Sequence, residues 1–361
     1  MRATALLRDL GQSLWLDNIT RDLIDNGKLK YYIDELSITG VTSNPTIFDH
    51  AIKGSNAYDA AIVEEAKKCK TWEDVFFELA IADVQRAADL LSETHTTTNG
   101  VDGWVSIEVP PSLAYETEGT IAAAQLLSRR VNRPNVFIKI PGTPEGLAAV
   151  EEMIFSGIPI NITLLFSPEQ YSDAADAYLK GIERRIAADM PAAVPSVASL
   201  FVSRWDVAVQ ERVSEDLRGK LGVSVAARVY ARYRGILADP RWQRAFNYGA
   251  LPQRLLWAST GTKHPNASPT YYIDALAVPF SINTMPDVTL NALADKDRAP
   301  QLMNTDTTAA EMLLTRFAYL GIQVETLGRE LQEAGATSFQ TSWDELMDLL
   351  VSRHSELTRS R

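Results

Sequence analysis

The sequence predicts an α/β fold: a closed (β/α)8 barrel of the TIM type with a leading helix, helical insertions and a helical C-terminal extension. Two observations predict it. Eight short runs are almost wholly apolar, as strands buried on both faces are. Segments with apolar residues at helical spacing separate these runs, which implies a parallel sheet. A count of eight favours closure over the alternative, an open doubly wound sheet. No repeat, low-complexity stretch or Pro/Gly/Ser-rich linker divides the chain. One barrel domain over residues 1–361 is expected, with 286–361 as the helical extension.

Taken in order, residues 3–10 read as a short leading helix. Ser13-Leu14-Trp15-Leu16-Asp17 is the first apolar run and ends in a carboxylate. Residues 21–36 have the spacing of one amphipathic helix. Ile38-Thr39-Gly40-Val41-Thr42-Ser43-Asn44-Pro45 is a β-branched run ended by Asn-Pro, a turn signal. A long helical insertion follows, including residues 72–92. Gly103-Trp104-Val105-Ser106-Ile107-Glu108-Val109 is the third strand, stopped by Pro110-Pro111, and a helix is expected over residues 115–131.

The fourth strand is Val136-Phe137-Ile138-Lys139-Ile140, ended by Pro141-Gly142. Its helix has Pro144 near the first position and Gly157 just past the end, the usual asymmetry. Residues 158–166 form the fifth strand. Ser167-Pro168-Glu169-Gln170 then makes a capping-box pattern. Residues 194–201 form the sixth strand, followed by helical stretches at 203–219 and 222–237. Residues 255–260 and 277–284 are the seventh and eighth strands. The extension reads as helices near 289–295, 306–334 and 342–357.

Composition excludes several classes. The chain has 361 residues, 46% apolar and 22% charged, with a formal net charge of −11. That balance argues against nucleic-acid or anionic-membrane partners, which need a basic footprint. A small phosphorylated substrate remains compatible, since a few local cations suffice for it. The single cysteine, Cys69, precludes an intrachain disulfide and suits a reducing cytoplasm. Met1 to Leu10 carries Asp9 and lacks a signal-peptide core, and no apolar run approaches a membrane span. The Asn-x-Ser/Thr triplets at Asn18, Asn161 and Asn266 carry no meaning for a cytoplasmic protein. His50, His95, His264 and His354 have no metal-ligand spacing, so no metal is expected. No glycine-rich nucleotide loop occurs.

The functional signal is where the polar residues fall. Asp17, Asn44, Glu108, Lys139, Asn161 with Thr163, Ser199 and Ser259 lie at or near the C-terminal ends of seven different runs. In a barrel those ends share the face that carries the active site. Each alone is equally well a cap or turn residue; Asn44, Thr143 and Ser167 are natural helix caps. Lys139, Glu108 and Asp17 together are harder to read so. Three ionisable groups near strand ends cost several kcal/mol to desolvate unless they pair or perturb one another.

These residues carry a resemblance to the transaldolase family. Gly40-Val41-Thr42-Ser43-Asn44-Pro45-Thr46-Ile47-Phe48 resembles its first signature. Ile138-Lys139-Ile140-Pro141-Gly142-Thr143-Pro144-Glu145-Gly146-Leu147 resembles its second, built around a Schiff-base lysine. Val105-Ser106-Ile107-Glu108-Val109, Ile160-Asn161-Ile162-Thr163-Leu164-Leu165-Phe166-Ser167, Ser199-Leu200-Phe201-Val202-Ser203-Arg204, Trp257-Ala258-Ser259-Thr260-Gly261-Thr262-Lys263 and Asn283-Thr284-Met285-Pro286 follow the family in order. The family fold is a (β/α)8 barrel.

The resemblance implies transfer of a dihydroxyacetone unit between sugar phosphates in the pentose phosphate pathway, without a cofactor. Lys139 would be the nucleophile. An amine is ordinarily protonated near neutral pH, so attack requires surroundings that favour its neutral form. Asp17 would move the proton of the C4 hydroxyl, and Glu108 with Thr163 would position a proton-shuttling water. Asn44 and Asn161 would hold the dihydroxyacetone unit. Ser199, Phe201, Arg204 and Ser259 would complete the substrate site, with Arg204 and Ser259 at the phosphate. One branch of the family carries an arginine just after the serine; this chain has Lys263 instead, a point charge rather than a planar fork. A homodimer is implied by resemblance only. Two other readings compete. A Schiff-base aldolase would release dihydroxyacetone, but related aldolases tend to carry tyrosine where Phe201 stands. A non-catalytic sugar-phosphate-binding barrel would be expected to lack Lys139 or Asp17.

Overall fold

The computed structural model describes residues 2–263, 267–298 and 300–359; His264 and Asn266 lie outside the described residues. Eight strands close into one barrel in sequence order. They are β1 (Gln12–Leu16), β2 (Ile38–Val41), β3 (Trp104–Glu108), β4 (Val136–Pro141), β5 (Ile160–Leu165), β6 (Ser196–Phe201), β7 (Arg254–Ala258) and β8 (Ser281–Met285). Every neighbouring pair is parallel, and β8 closes on β1. Nearly every strand residue is buried, since the barrel interior and the helix ring cover both faces. The (β/α)8 class read from the sequence is the observed one.

Register fixes the functional geometry. Glu108 on β3 pairs with Lys139 on β4, and Lys139 pairs in turn with Asn161 on β5. Gly40 in β2 is required by packing: a Cβ there would lie 2.5 Å from Cε2 of the buried Trp15 indole. Between β5 and β6 the register shifts, and Leu164 adopts φ 58°. Below the barrel, Asp102 accepts from Ser13 Oγ at 2.6 Å and from Arg254 Nη1 at 3.2 Å.

Local chemistry sets where the helices following the strands begin. Asn44 accepts from Ile47 N and Thr143 from Gly146 N, both at 3.1 Å, with Pro45 and Pro144 in the first turns. Ser167 and Gln170 form the expected capping box. The insertion after β2 holds the helices Pro45–Gly54, Asp59–Glu65, Trp72–Leu90 and Ser92–Thr97. The insertion after β6 holds Ser203–Val209, Leu221–Ala238 and Pro240–Asn247.

Three expectations about helices need correction. Residues 21–36 form two helices, Arg21–Asp25 and Lys28–Leu36, because Gly27 at φ 75° turns the chain between them. The stretch 203–219 is helical only to Val209 before a loop and a 3-10 turn. In the extension, the break falls between Thr308–Tyr319 and Val324–Arg359, at Gly321 with φ 76°. No break occurs at residues 335–341; the last helix runs on for 36 residues.

That last helix lies close against the strand ends. Gln332 donates to Gly142 O at 3.0 Å and Leu164 O at 2.9 Å, and Gln170 Nε2 donates to Gly328 O at 3.1 Å. Gly328 and Gly335 allow the approach. A Cβ at 328 would meet Ser167 Cβ at 2.9 Å, and one at 335 would meet Leu164 Cδ2 at 3.0 Å. Among the described residues no helix is long and apolar enough to cross a membrane.

Candidate active site

A cleft of about 590 Å³ opens at the C-terminal ends of the strands. Asp17, Asn44, Lys139, Thr163, Ser199, Phe201, Arg204, Ser259 and Lys263 all line it. Glu108 and Asn161 do not; they sit beneath the lining, at 8% and 0% exposure.

Lys139 is 6% exposed, and its Nζ donates to Glu108 Oε2 at 2.9 Å and to Ser43 O at 3.3 Å. The strand pairing aims both side chains at one point. Burial pushes the Glu108 carboxyl above the usual range; the Lys139 charge and hydrogen bond oppose this, and the charge of Asp17 adds to it. Asp17 is likewise pushed up by burial, opposed first by Lys139, then by its bond from Thr42, then by Lys263. Thr42 Oγ1 donates to Asp17 Oδ1 at 3.0 Å and lies 2.9 Å from Thr284 Oγ1. Two carboxyls and one amine therefore share one site, in which burial raises both carboxyls and the amine opposes that rise.

Asn161 has its amide in a polar chain. Its Nδ2 donates to Ser106 Oγ at 3.1 Å, and its Oδ1 accepts from Ser199 Oγ at 2.7 Å. Ser199 is the member of this chain that faces the cleft. Thr163 Oγ1 is buried and has no hydrogen-bond partner among the described residues. Asn44 is both a helix cap and a wall of the cleft. Its capping bond uses the side-chain oxygen, so no capping role occupies its amide hydrogens.

The far side of the cleft is cationic. Arg204 opens the helix after β6, and burial pushes its guanidinium pKa down. No carboxylate pairs with it among the described residues; aromatic rings surround it instead, Phe201 at 5.3 Å and Phe339 at 5.7 Å. Ser259 lies in the left-handed region, φ 54°, with its Oγ 2.9 Å from Ser203 Oγ. Such an outlier for a non-glycine residue costs of order 1 kcal/mol and marks a position fixed by its surroundings. Among the described residues no group of three or more His, Cys, Asp or Glu could hold a metal ion.

Reading the sequence missed several members of this cleft. Thr42 bonds Asp17, Thr284 stands against Thr42, and His50 also lines the cleft. Thr42 and Thr284 stand inside motifs quoted above, and strand-end position was their available signal. Phe339 comes from the last helix, and its ring lies 5.7 Å from Lys139 Nζ. Nothing in the local sequence around Phe339 points to a lysine two hundred positions earlier.

Fold and site define a class: a barrel with a buried lysine–carboxylate pair, a second carboxyl and, in the same cleft, a half-buried guanidinium that no carboxylate pairs among the described residues. Such a site can attack a carbonyl through an amine and hold an anion beside it. The family model described as transaldolase/fructose-6-phosphate aldolase matches residues 14–350. Transaldolase 2 of Nostoc punctiforme is 38% identical, covering 96% of both chains. The transaldolase of Saccharopolyspora erythraea is 39% identical over 94% of both, and that of Mycobacterium tuberculosis H37Rv 40% over 95% of both. The chain belongs to the transaldolase/fructose-6-phosphate aldolase family.

Proposed function

We propose that this protein is a transaldolase: a transferase that moves a dihydroxyacetone unit from a ketose phosphate to an aldose phosphate through a Schiff base on Lys139. The observation that carries this reading is the lysine itself, lining the cleft and bonded at 2.9 Å to a buried carboxylate. The family supports the same activity.

The residues support the following course. Glu108, bonded to Lys139 Nζ at 2.9 Å, serves as the base that takes the amine's proton. The freed amine attacks C2 of fructose 6-phosphate or sedoheptulose 7-phosphate. The carbinolamine hydroxyl is protonated from Glu108, through a water held by the unpaired Thr163 hydroxyl, and leaves as water. In the resulting iminium, Asp17 removes the C4 hydroxyl proton. The C3–C4 bond breaks, its electron pair moves towards the iminium, and an aldose phosphate departs, leaving an enamine. The acceptor, glyceraldehyde 3-phosphate or erythrose 4-phosphate, is attacked by C3 of the enamine, and Asp17 returns its proton to the new alkoxide. Water then releases the product and restores Lys139.

Asn44 and Ser199 hold the hydroxyls of the retained unit, and Asn161, beneath the lining, fixes Ser199 from behind. Arg204, Ser259 and Lys263 bind the phosphate, the guanidinium being free of any competing carboxylate among the described residues. Phe201 favours transfer over simple aldol cleavage, since it brings no hydroxyl to protonate the enamine. The setting that suits this chemistry is the pentose phosphate pathway of the cytoplasm.

The test is borohydride reduction in the presence of fructose 6-phosphate, with and without erythrose 4-phosphate. A dihydroxyacetone-sized adduct on Lys139, absent in Lys139→Ala, and sedoheptulose 7-phosphate with acceptor are expected. Free dihydroxyacetone over many turnovers without acceptor favours the aldolase, and no adduct rules out both.

A further inference from the structure

We propose that Phe339, on the last helix, is a positioning residue that holds the Lys139 nitrogen and the Arg204 guanidinium against one aromatic ring and so favours transfer over release. This rests on the Schiff-base reading above. The ring lies 5.7 Å from Lys139 Nζ and 5.7 Å from the Arg204 guanidinium carbon, and it lines the cleft between them. Two cations in one dry site repel each other. Glu108 offsets the charge on Lys139, but no carboxylate offsets that on Arg204 among the described residues. A ring face attracts a cation without accepting its strong hydrogen bonds. The guanidinium N–H groups therefore stay available for a phosphate.

The ring is held from both sides. Two turns before it, Gln332 ties the helix to Gly142 O and Leu164 O. One turn after it, Trp343 packs edge-on against Phe76 with ring centroids 5.0 Å apart. Ser342 is 3.0 Å from Thr46 Oγ1, in the helix that Asn44 caps. One turn before Phe339, Gly335 supplies the clearance: a Cβ there would sit 3.2 Å from Arg204 Nη1. The helix thus lies closer to Leu164 and Arg204 than a side chain at 335 would allow, and the ring is preorganised rather than recruited.

The consequence for the reaction follows from charge. The iminium carries its positive charge on the nitrogen that Phe339 faces, so the ring stabilises that intermediate as well as the free ammonium. As an apolar wall it also keeps water from the enamine. Release needs a proton at C3 followed by water at C2; transfer forms a C–C bond at C3 instead and needs water at C2 only after the acceptor has reacted.

The experiment compares Phe339→Leu, which keeps apolar bulk without a π face, with Phe339→Tyr, which keeps the face. Phe339→Met replaces the leucine variant if that one does not fold. Steady-state rates with fructose 6-phosphate and erythrose 4-phosphate are read with the yields of sedoheptulose 7-phosphate and free dihydroxyacetone, alongside borohydride trapping on Lys139. Phe339→Leu is expected to trap the adduct, raise KM for the donor roughly 3- to 30-fold and release more dihydroxyacetone. Phe339→Tyr is expected within about threefold of wild type. Unchanged KM and product ratio in Phe339→Leu, or a tyrosine variant as impaired as the leucine one, overturns the role of Phe339 alone. Absence of any adduct in the wild-type protein overturns the site reading and this role with it.

Discussion

Lys139 and Glu108 are register partners on adjacent strands, and their charged ends meet 2.9 Å apart with neither side chain more than 7% exposed. Parallel pairing thus delivers an amine and its proton acceptor to one point without any loop. Glu108→Gln preserves the volume and removes the acid–base function. The expected result is a fall of roughly 100-fold or more in the rate of borohydride-trappable adduct formation near neutral pH. Rapid-quench mass spectrometry measures it. A variant that traps the adduct at the wild-type rate would remove Glu108 from the proton path.

The barrel was legible because its strands are buried on both faces. Runs such as Val136-Phe137-Ile138 and Ile160-Asn161-Ile162 stand out where amphipathic helices surround them. The strand-end polar residues were legible for the same reason, as misfits in apolar surroundings. The middle of the last helix, residues 335–341, was not. Between the buried Leu331 and Phe339, its buried face carries only Gln332, Gly335 and Ala336, small or polar residues, with Gly335 at the close approach to Leu164 and Arg204. An apolar periodicity reads such a stretch as a gap, which is why Phe339 went unseen. Nor does sequence separate a side chain lining the cleft, such as Ser199, from one holding it from below, such as Asn161.

Asp17 is pushed above the usual carboxylate range by burial. The folded state therefore favours its protonated form. Its ionisation costs stability, and the cost is absent below the unfolded value of about 4 and complete once pH exceeds the raised folded value. Asp17→Asn can still accept from Thr42. It should be more stable than wild type at pH 8, converge with it near pH 3–4, and lose roughly 100-fold or more in turnover. Urea unfolding across this range decides it; a variant less stable than wild type at pH 8 contradicts the argument.

Gln332 uses one amide group to satisfy two carbonyls, Gly142 O and Leu164 O, at the ends of β4 and β5. Gln332→Leu leaves both without that donor. The expected loss is about 1–3 kcal/mol, with faster amide exchange along residues 324–359 and a higher KM for the donor sugar. Hydrogen exchange with mass spectrometry locates the effect. Exchange unchanged in the last helix would show that other contacts dock it.

Asp206, two residues beyond Arg204, accepts from Leu221 N at 2.9 Å, Gly222 N at 3.3 Å and Tyr272 OH at 2.8 Å. One carboxylate thereby joins the helix carrying Arg204, the start of the helix Leu221–Ala238, and the segment between β7 and β8. Burial pushes its pKa up to about 6, against the pull of these three donors. Because the folded value is raised, the stability contributed by protonation is fully present below the ordinary value of 3.8 and is lost as pH rises through about 6. The full change is roughly 3 kcal/mol. Asp206→Asn has no such titration. Wild-type stability relative to this variant should therefore be greatest near pH 4 and decline to a plateau above pH 7. Denaturant midpoints for the two proteins at unit pH steps measure the difference. A difference that stays flat, or that grows with pH, would mean that the three donors outweigh burial and that Asp206 is held as a stable anion on the helix that carries Arg204.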